Sequence, residues 1–285
     1  WSDSLTLLGL VVGIVSLIAF IIWELRTEAP LLDVRTFSNR YLATGSVTLM
    51  LLFGVLFGIG LVLFRFFQAV LGFSALRSAA CLLPLALVMM PLSTIAPRIR
   101  QRIGTRTIIM VGLATVAAGL AIMAIFASVE TGYLSVLPGL LVLGVGMGLT
   151  MTPSTEAITS SLPADKQGVA SALNDTVREV GSALGVALLG SILNSSYRSN
   201  VDQATAGLPE PAAQAVESGI GGALMVASQM GEQGQALAIA AKDAFVSGWT
   251  HSMWIGMGIV LIGFAFALIR GPRAEDTLAE ESVAA

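Results

Sequence analysis

The sequence predicts an all-α fold, a polytopic membrane helix bundle of about seven transmembrane helices. Three observations carry that prediction. Hydrophobic residues make up 55% of the chain and charged residues only 12%, with a mean hydropathy of +0.84. An ordinary soluble domain carries ~25% charged residues. The apolar residues fall in blocks of about 18 to 27, and ~20 residues of helix cross a ~30 Å hydrocarbon layer. The ~10-residue segments of alternating polarity that build a membrane β-barrel are missing from the sequence.

By this rule the spans lie at residues 5–23, 42–64, 73–95, 107–127, 134–160, 168–193 and 249–269. The first block follows Trp1 with no Met and no charged stretch ahead of it, so it reads as the continuation of a longer polytopic chain. A complete protein that has lost its initiator Met is the alternative. Residues 25–41 then read as an interfacial helix along the cytoplasmic surface, starting at Pro30 and mixing apolar residues with Asp33, Arg35 and Arg40. Small residues let helix backbones approach closely in lipid, so Gly54 and Gly58 in span two and Gly181 and Gly185 in span six are candidate packing positions. Span three carries Pro84, which removes a mid-helix donor, and Cys81, read as small packing filler. Gly104 permits a sharp reversal between spans three and four. Around it Arg98, Arg100, Arg102 and Arg106 form a basic turn. Plain membrane anchoring explains those arginines equally well.

In span five, Gly144, Gly146 and Gly148 sit mid-span without a preceding strand and without the GxGxxG spacing, so they read as close packing rather than a nucleotide loop. Pro153 in the same span is a second expected kink, of the kind tolerated where neighbours or a water-filled cavity satisfy the freed carbonyl. Residues 195–247 are the one long hydrophilic connection, with an acidic excess. They are expected on the extracytoplasmic side as one or two surface helices. Residues 42–270 thus form the main bundle, and residues 271–285 an acidic tail.

Lys and Arg concentrate on the cytoplasmic side of membrane proteins. Placing the loops after spans one, three and five with the tail inside puts ten there: Arg26, Arg35, Arg40, Arg98, Arg100, Arg102, Arg106, Lys166, Arg270 and Arg273. The opposite side keeps four: Arg65, Arg77, Arg198 and Lys242. The C-terminus is therefore expected in the cytoplasm, and the chain in the plasma membrane.

The most informative segment is span six. Ser171, Asn174, Asp175, Arg178 and Ser182 recur at three- and four-residue spacing and share one helical stripe, with Glu179 at its edge. Asp175 and Glu179 lie roughly 14 and 20 Å along the helix from Lys166 at ~1.5 Å per residue. Each ionisable group in a span costs roughly 2.5 to 3.5 kcal/mol on insertion scales, so such groups normally face a bundle interior or cavity. A carboxylate in a low-dielectric cavity holds its proton more tightly than in water, and a neighbouring Arg reverses the effect. Glu179 is then the freer proton carrier and Asp175 the partner of a cation. The competing explanation is that Asp175 and Arg178 merely neutralise each other and lock the helix. Glu156, near the end of span five, either lines the same cavity or sits at the interface.

Three stretches resemble the C-terminal half of a major facilitator superfamily transporter of the fourteen-helix drug:proton antiporter family. They are PLLDVRTFSNR (residues 30–40), APRIRQRIGTR (96–106) and, most distinctively, GVASALNDTVREVGSALGVALLGSIL (168–193). The resemblance implies that the seven spans correspond to helices eight to fourteen. Residues 1–24 would be an extra helix linking the halves, and the N-terminal half would be a missing partner in the same chain. It also implies a central cavity open alternately to each side. The partners it implies are a small-molecule substrate, protons and the lipid bilayer. Residues 96–106 resemble a second copy of that family's cytoplasmic loop motif, with Arg98, Arg102, Gly104 and Arg106 as its candidates, but the motif's Asp is replaced around residues 100–102.

The expected function is export of hydrophobic or cationic compounds in exchange for protons, with export of a lipid or siderophore as the alternative. An enzyme is not expected, because HExxH and GxSxG are absent and His251 is the only His. A seven-helix receptor or scaffold requires a genuine start at Trp1. A net charge of −3 offers no basic footprint for nucleic acid. One Cys and one His exclude a zinc cluster, and neither metal nor cofactor is expected.

Overall fold

Why these residues form a bundle rather than isolated rods is visible in the contacts between helices. The computed structural model describes residues 4–27, 34–206 and 208–272. In chain order the helices are α1 (Ser4–Arg26), α2 (Arg40–Arg65), α3 (Ala75–Ala80), α4 (Leu83–Ile103), α5 (Thr105–Phe126), α6 (Tyr133–Ser160), α7 (Gln167–Val201), α8 (Glu210–Glu217), α9 (Ile220–Gln229) and α10 (Gly234–Arg270). Among the described residues there is no strand. Seven helical stretches are long and apolar enough to cross a membrane, with α3 and α4 together forming one of them.

α2 lies at the centre, against α6, α7 and α10, while α5 fills the space between α6 and α10 and α4 packs outside α6. Lipid tails are as apolar as Leu, so close fit rather than the hydrophobic effect holds such helices together. The glycines provide that fit. A Cβ on Gly185 would lie 1.9 Å from the Gly54 carbonyl oxygen, and one on Gly58 2.6 Å from that of Gly185. One on Gly181 would lie 2.1 Å from the Met50 oxygen. α2 and α7 therefore cross backbone to backbone. In α6, Gly144 and Gly148 lie against α4, and Gly146 against α5, which is the packing expected of that run. Trp249 of α10 is fully buried, donates its Nε1 hydrogen to the Met123 carbonyl at 3.1 Å and meets Phe66 at 4.9 Å between ring centroids. The most apolar 18-residue stretch of α1 is left uncovered by the rest of the chain, and among its described residues only Glu24, near its end, is buried.

Several boundaries differ from expectation. The kink predicted at Pro84 is a break: α3 ends at Ala80, and Pro84 enters in the first turn of α4, where a missing N–H costs nothing. The Cys81 carbonyl at the break accepts the Tyr133 hydroxyl at 2.9 Å. Pro91 and Pro97 remain inside α4, and Pro153 inside α6.

The hydrophilic connection predicted for residues 195–247 is in part helix extension, with α8 and α9 between. α7 runs on to Val201, and α10 starts at Gly234, fifteen residues before the predicted span. With 37 residues, α10 is about 55 Å long at ~1.5 Å per residue, well beyond the hydrocarbon layer. Ala-rich polar sequence continues a helix past the lipid boundary, because helix propensity does not follow hydropathy. α8 and α9 cap this end, with Val216, Ile220 and Ala223 buried against Leu237, Ala241 and Phe245, and the Tyr197 hydroxyl on the Val216 carbonyl.

Of the predicted interfacial helix, residues 28–33, including Pro30 and Asp33, lie outside the described residues. Val34–Ser38 form a short 3₁₀ segment, and α2 already begins at Arg40, capped by Asn39 Oδ1 accepting from Tyr41 N at 2.8 Å. The acidic tail beyond Pro272, with Arg273, also lies outside the described residues.

Candidate functional site

The close crossing of α2 and α7 sets two side-chain rows facing each other. From α2 come Phe53 and Phe57, one turn apart, stacked at 6.1 Å between centroids and 21° between planes. From α7 come Asp175, Arg178, Glu179 and Ser182, as helical spacing requires. Together they line a cleft of about 380 Å³.

Within it the charges are distributed unevenly. Arg178 is half-buried, donates from Nη2 to Thr155 Oγ1 of α6 at 2.9 Å, and holds its guanidinium carbon 5.0 Å from the Phe53 ring centroid. No ion pair joins it to Asp175, three residues back and within helical reach, or to Glu179, its neighbour in the chain. Both carboxylates are exposed to the cleft side and have no hydrogen bond or ion pair within the described residues. The competing explanation, a mutual neutralisation of Asp175 and Arg178, has no ion pair in the geometry to support it. The guanidinium is drawn to an aromatic face and a hydroxyl on neighbouring helices instead.

Two other residues of the predicted site stand elsewhere. Asn174 is buried at 7% exposure with its Oδ1 unpartnered, and it does not line the cleft. Glu156 forms an ion pair with Arg100 of α4 at 3.0 Å, linking α4 to α6. Both partners are about a third exposed, so the pair contributes roughly 0–1 kcal/mol.

The residues expected in a basic turn are helical, Arg98 and Arg102 in the last turns of α4 and Arg106 in the first turn of α5, and Gly104 alone joins the two helices, with φ +83°, a left-handed conformation that a side chain resists. Arg106 donates from Nη2 to the Leu268 carbonyl, where a cation complements the C-terminal end of α10. Arg98 and Arg102 are exposed. Arg100, between them on α4, makes the interhelical ion pair.

Phe53, Phe57 and Thr155 were not among the predicted site residues. Aromatic residues one turn apart on an apolar helix look like core in a sequence, and only the exposure of Phe57, at 50%, sets it apart. A larger, mostly apolar groove of about 970 Å³ lies between α1 and the far halves of α2 and α7, with Leu10, Leu61, Leu184 and Leu188 among its lining and Arg65 as its one charged residue. No group of three or more His, Cys, Asp or Glu suited to a metal occurs among the described residues.

The sequence profile of the Major Facilitator Superfamily matches residues 4–186. The multidrug efflux pump LfrA of Mycolicibacterium smegmatis is 35% identical over 266 residues, covering 90% of this chain and 51% of the pump. A multidrug resistance protein B homolog of Mycobacterium tuberculosis is 33% identical, covering 77% of this chain and 41% of its own length. The methyl viologen resistance protein SmvA of Salmonella typhimurium is 29% identical, covering 96% and 55%. The chain spans about half the length of these curated relatives. With its seven apolar spans, it is a multi-pass membrane protein and belongs to the Major Facilitator Superfamily.

Proposed function

We propose that this chain forms the C-terminal portion of a fourteen-helix exporter that expels hydrophobic or cationic drugs from the cell in exchange for protons, acting as a transporter and not as an enzyme. The observation that carries the reading is the cleft between α2 and α7, where two carboxylates without partners stand beside a stacked aromatic pair. Charge within a membrane-spanning helix is costly, so it persists where it serves a pathway. Aromatic faces attract cations and stack on planar apolar bodies, and carboxylates supply the countercharge.

In this scheme Asp175 holds the positive charge of the drug while Glu179 carries the proton. Entry of a proton from outside neutralises Glu179 and weakens the hold on a cation, which leaves. Loss of that proton to the cytoplasm restores the site. The two halves of the full protein rock about the cleft, with the C-terminus in the cytoplasm and the protein in the plasma membrane. The names of the relatives, a multidrug efflux pump and a methyl viologen resistance protein, support drug-like substrates.

The test uses the full-length transporter in inverted vesicles. Asp175→Asn and Glu179→Gln are expected to abolish proton-driven movement of a cationic dye while leaving the protein folded and in the membrane. Unchanged dye transport in both variants rejects the assignment.

A further inference from the structure

The cleft already contains a cation. Arg178 follows Asp175 by three residues and precedes Glu179 by one, and it pairs with neither. Its Nη2 is fastened to Thr155 Oγ1, its guanidinium lies over Phe53, and its buried Nε has no hydrogen-bond partner. Glu156, the carboxylate beside Thr155 on α6, is occupied by Arg100 of α4 and gives Arg178 no countercharge. A guanidinium is planar, delocalised and weakly hydrated, and it stacks on aromatic faces as a planar organic cation does.

The geometry points to Arg178 as a resident competitor for the cation site. It covers the Phe53 face that an incoming planar cation uses, and the cation has to dislodge it. This inference rests on the cleft being the cation site of a drug exporter, and it adds a residue that sets specificity. Two positive charges confined to one small cleft repel strongly when part of its wall is aromatic rather than water. A neutral hydrophobic compound meets no such repulsion. Arg178 therefore raises the concentration of cationic drug needed to fill the site by both cover and charge, and that of a neutral planar drug by cover of Phe53 alone. Thr155 is its anchor: without that hydroxyl the guanidinium swings along α7 toward Asp175 and competes for the carboxylate directly.

The experiment measures equilibrium binding to the purified full-length transporter by fluorescence polarisation. The probes are rhodamine 6G, a planar delocalised cation, and Nile red, a neutral planar dye. Arg178→Gln is expected to bind rhodamine 6G about tenfold tighter, the equivalent of ~1.4 kcal/mol, with Nile red tightened no more than the about threefold that the vacated Phe53 face gives. Arg178→Lys keeps the charge but loses the planar face, and binding about threefold tighter is expected from the vacated Phe53. Thr155→Val is expected to shift rhodamine 6G the other way, to about threefold weaker binding. Opposite signs at Arg178 and Thr155 are not what a merely structural contact produces, since loss of either partner would then weaken binding.

Asp175→Asn with Glu179→Gln separates the two levels of the argument. If that double variant leaves rhodamine 6G binding intact, the cleft is not the cation site and the functional reading itself falls. If it weakens binding while Arg178→Gln and Arg178→Lys bind no tighter than wild type, the role given to Arg178 is overturned and the cleft stands. Should Arg178→Gln fail to give monodisperse protein, Arg178→Lys and Thr155→Val decide the matter by the same signs.

Discussion

The crossing of α2 and α7 is tight enough that one methyl group breaks it. In Gly185→Ala the new Cβ stands 1.9 Å from the Gly54 oxygen, 2.3 Å from its carbonyl carbon and 2.4 Å from its Cα. All three are backbone atoms, so no rotamer change relieves the clash. An ordinary contact needs ~3.5 Å, so the helices have to part by about 1.5 Å or tilt. Overpacking of this kind costs ~1–3 kcal/mol, partly offset by the ~0.5–1 kcal/mol that Ala gains over Gly within a helix. Gly258→Ala is the matched control on α10, where a Cβ meets nothing within 4 Å. Thermal unfolding of the purified full-length transporter is the assay. Gly185→Ala is expected to melt measurably below wild type, by less per kcal/mol than the ~2–4 °C typical of chains of 150–250 residues. Gly258→Ala is expected to match or exceed wild type. Dye transport should fall in Gly185→Ala, because parting α2 from α7 moves Phe53 and Phe57 away from Asp175 and Glu179. If Gly185→Ala melts with Gly258→Ala, the glycine crossing does not hold these helices together.

Other consequences are smaller. Tyr133→Phe removes the donor that satisfies the Cys81 carbonyl at the α3–α4 break, and a loss of about 1–2 kcal/mol is expected in the same melting assay. Trp249→Phe strips the Met123 carbonyl of its partner in the buried core and should cost a similar ~1–3 kcal/mol, seen as a lower melting temperature. For the Arg100–Glu156 pair, a double-mutant cycle with Arg100→Gln and Glu156→Gln is expected to give a coupling below ~1 kcal/mol, given its exposure. A coupling above ~2 kcal/mol contradicts that. Gly104→Ala places a side chain at φ +83° between α4 and α5 and is expected to destabilise by about 1 kcal/mol or more, although space is open around it.

Hydropathy alone was enough to count the spans, because a bilayer of fixed thickness demands a fixed length of apolar helix. It failed where the demand ends. α10 begins at Gly234 because Ala-rich sequence keeps a helix going in water, and a hydropathy window stops near Trp249. Pro84 was legible as a disturbance but not as a break, since the sequence does not say that Tyr133 waits to satisfy the Cys81 carbonyl. The polar stripe on α7 was legible from spacing, and the cleft gathers Asp175, Arg178, Glu179 and Ser182 from it. Asn174 was assigned to the same stripe, yet it is buried and does not line the cleft. The partners of Arg178 were not legible. Thr155 is 23 residues away and Phe53 lies on another helix, so helical periodicity within α7 favoured Asp175 by default.

The central claim is that protons and a cation compete for the carboxylates of one cleft. The most direct measurement is proton release on binding, read with a pH indicator in weakly buffered detergent solution of the full-length transporter. Rhodamine 6G is expected to displace protons from wild type, and the amount released should fall sharply in Glu179→Gln and vanish in the Asp175→Asn, Glu179→Gln double variant. Undiminished proton release from a double variant that still binds the dye would contradict the account.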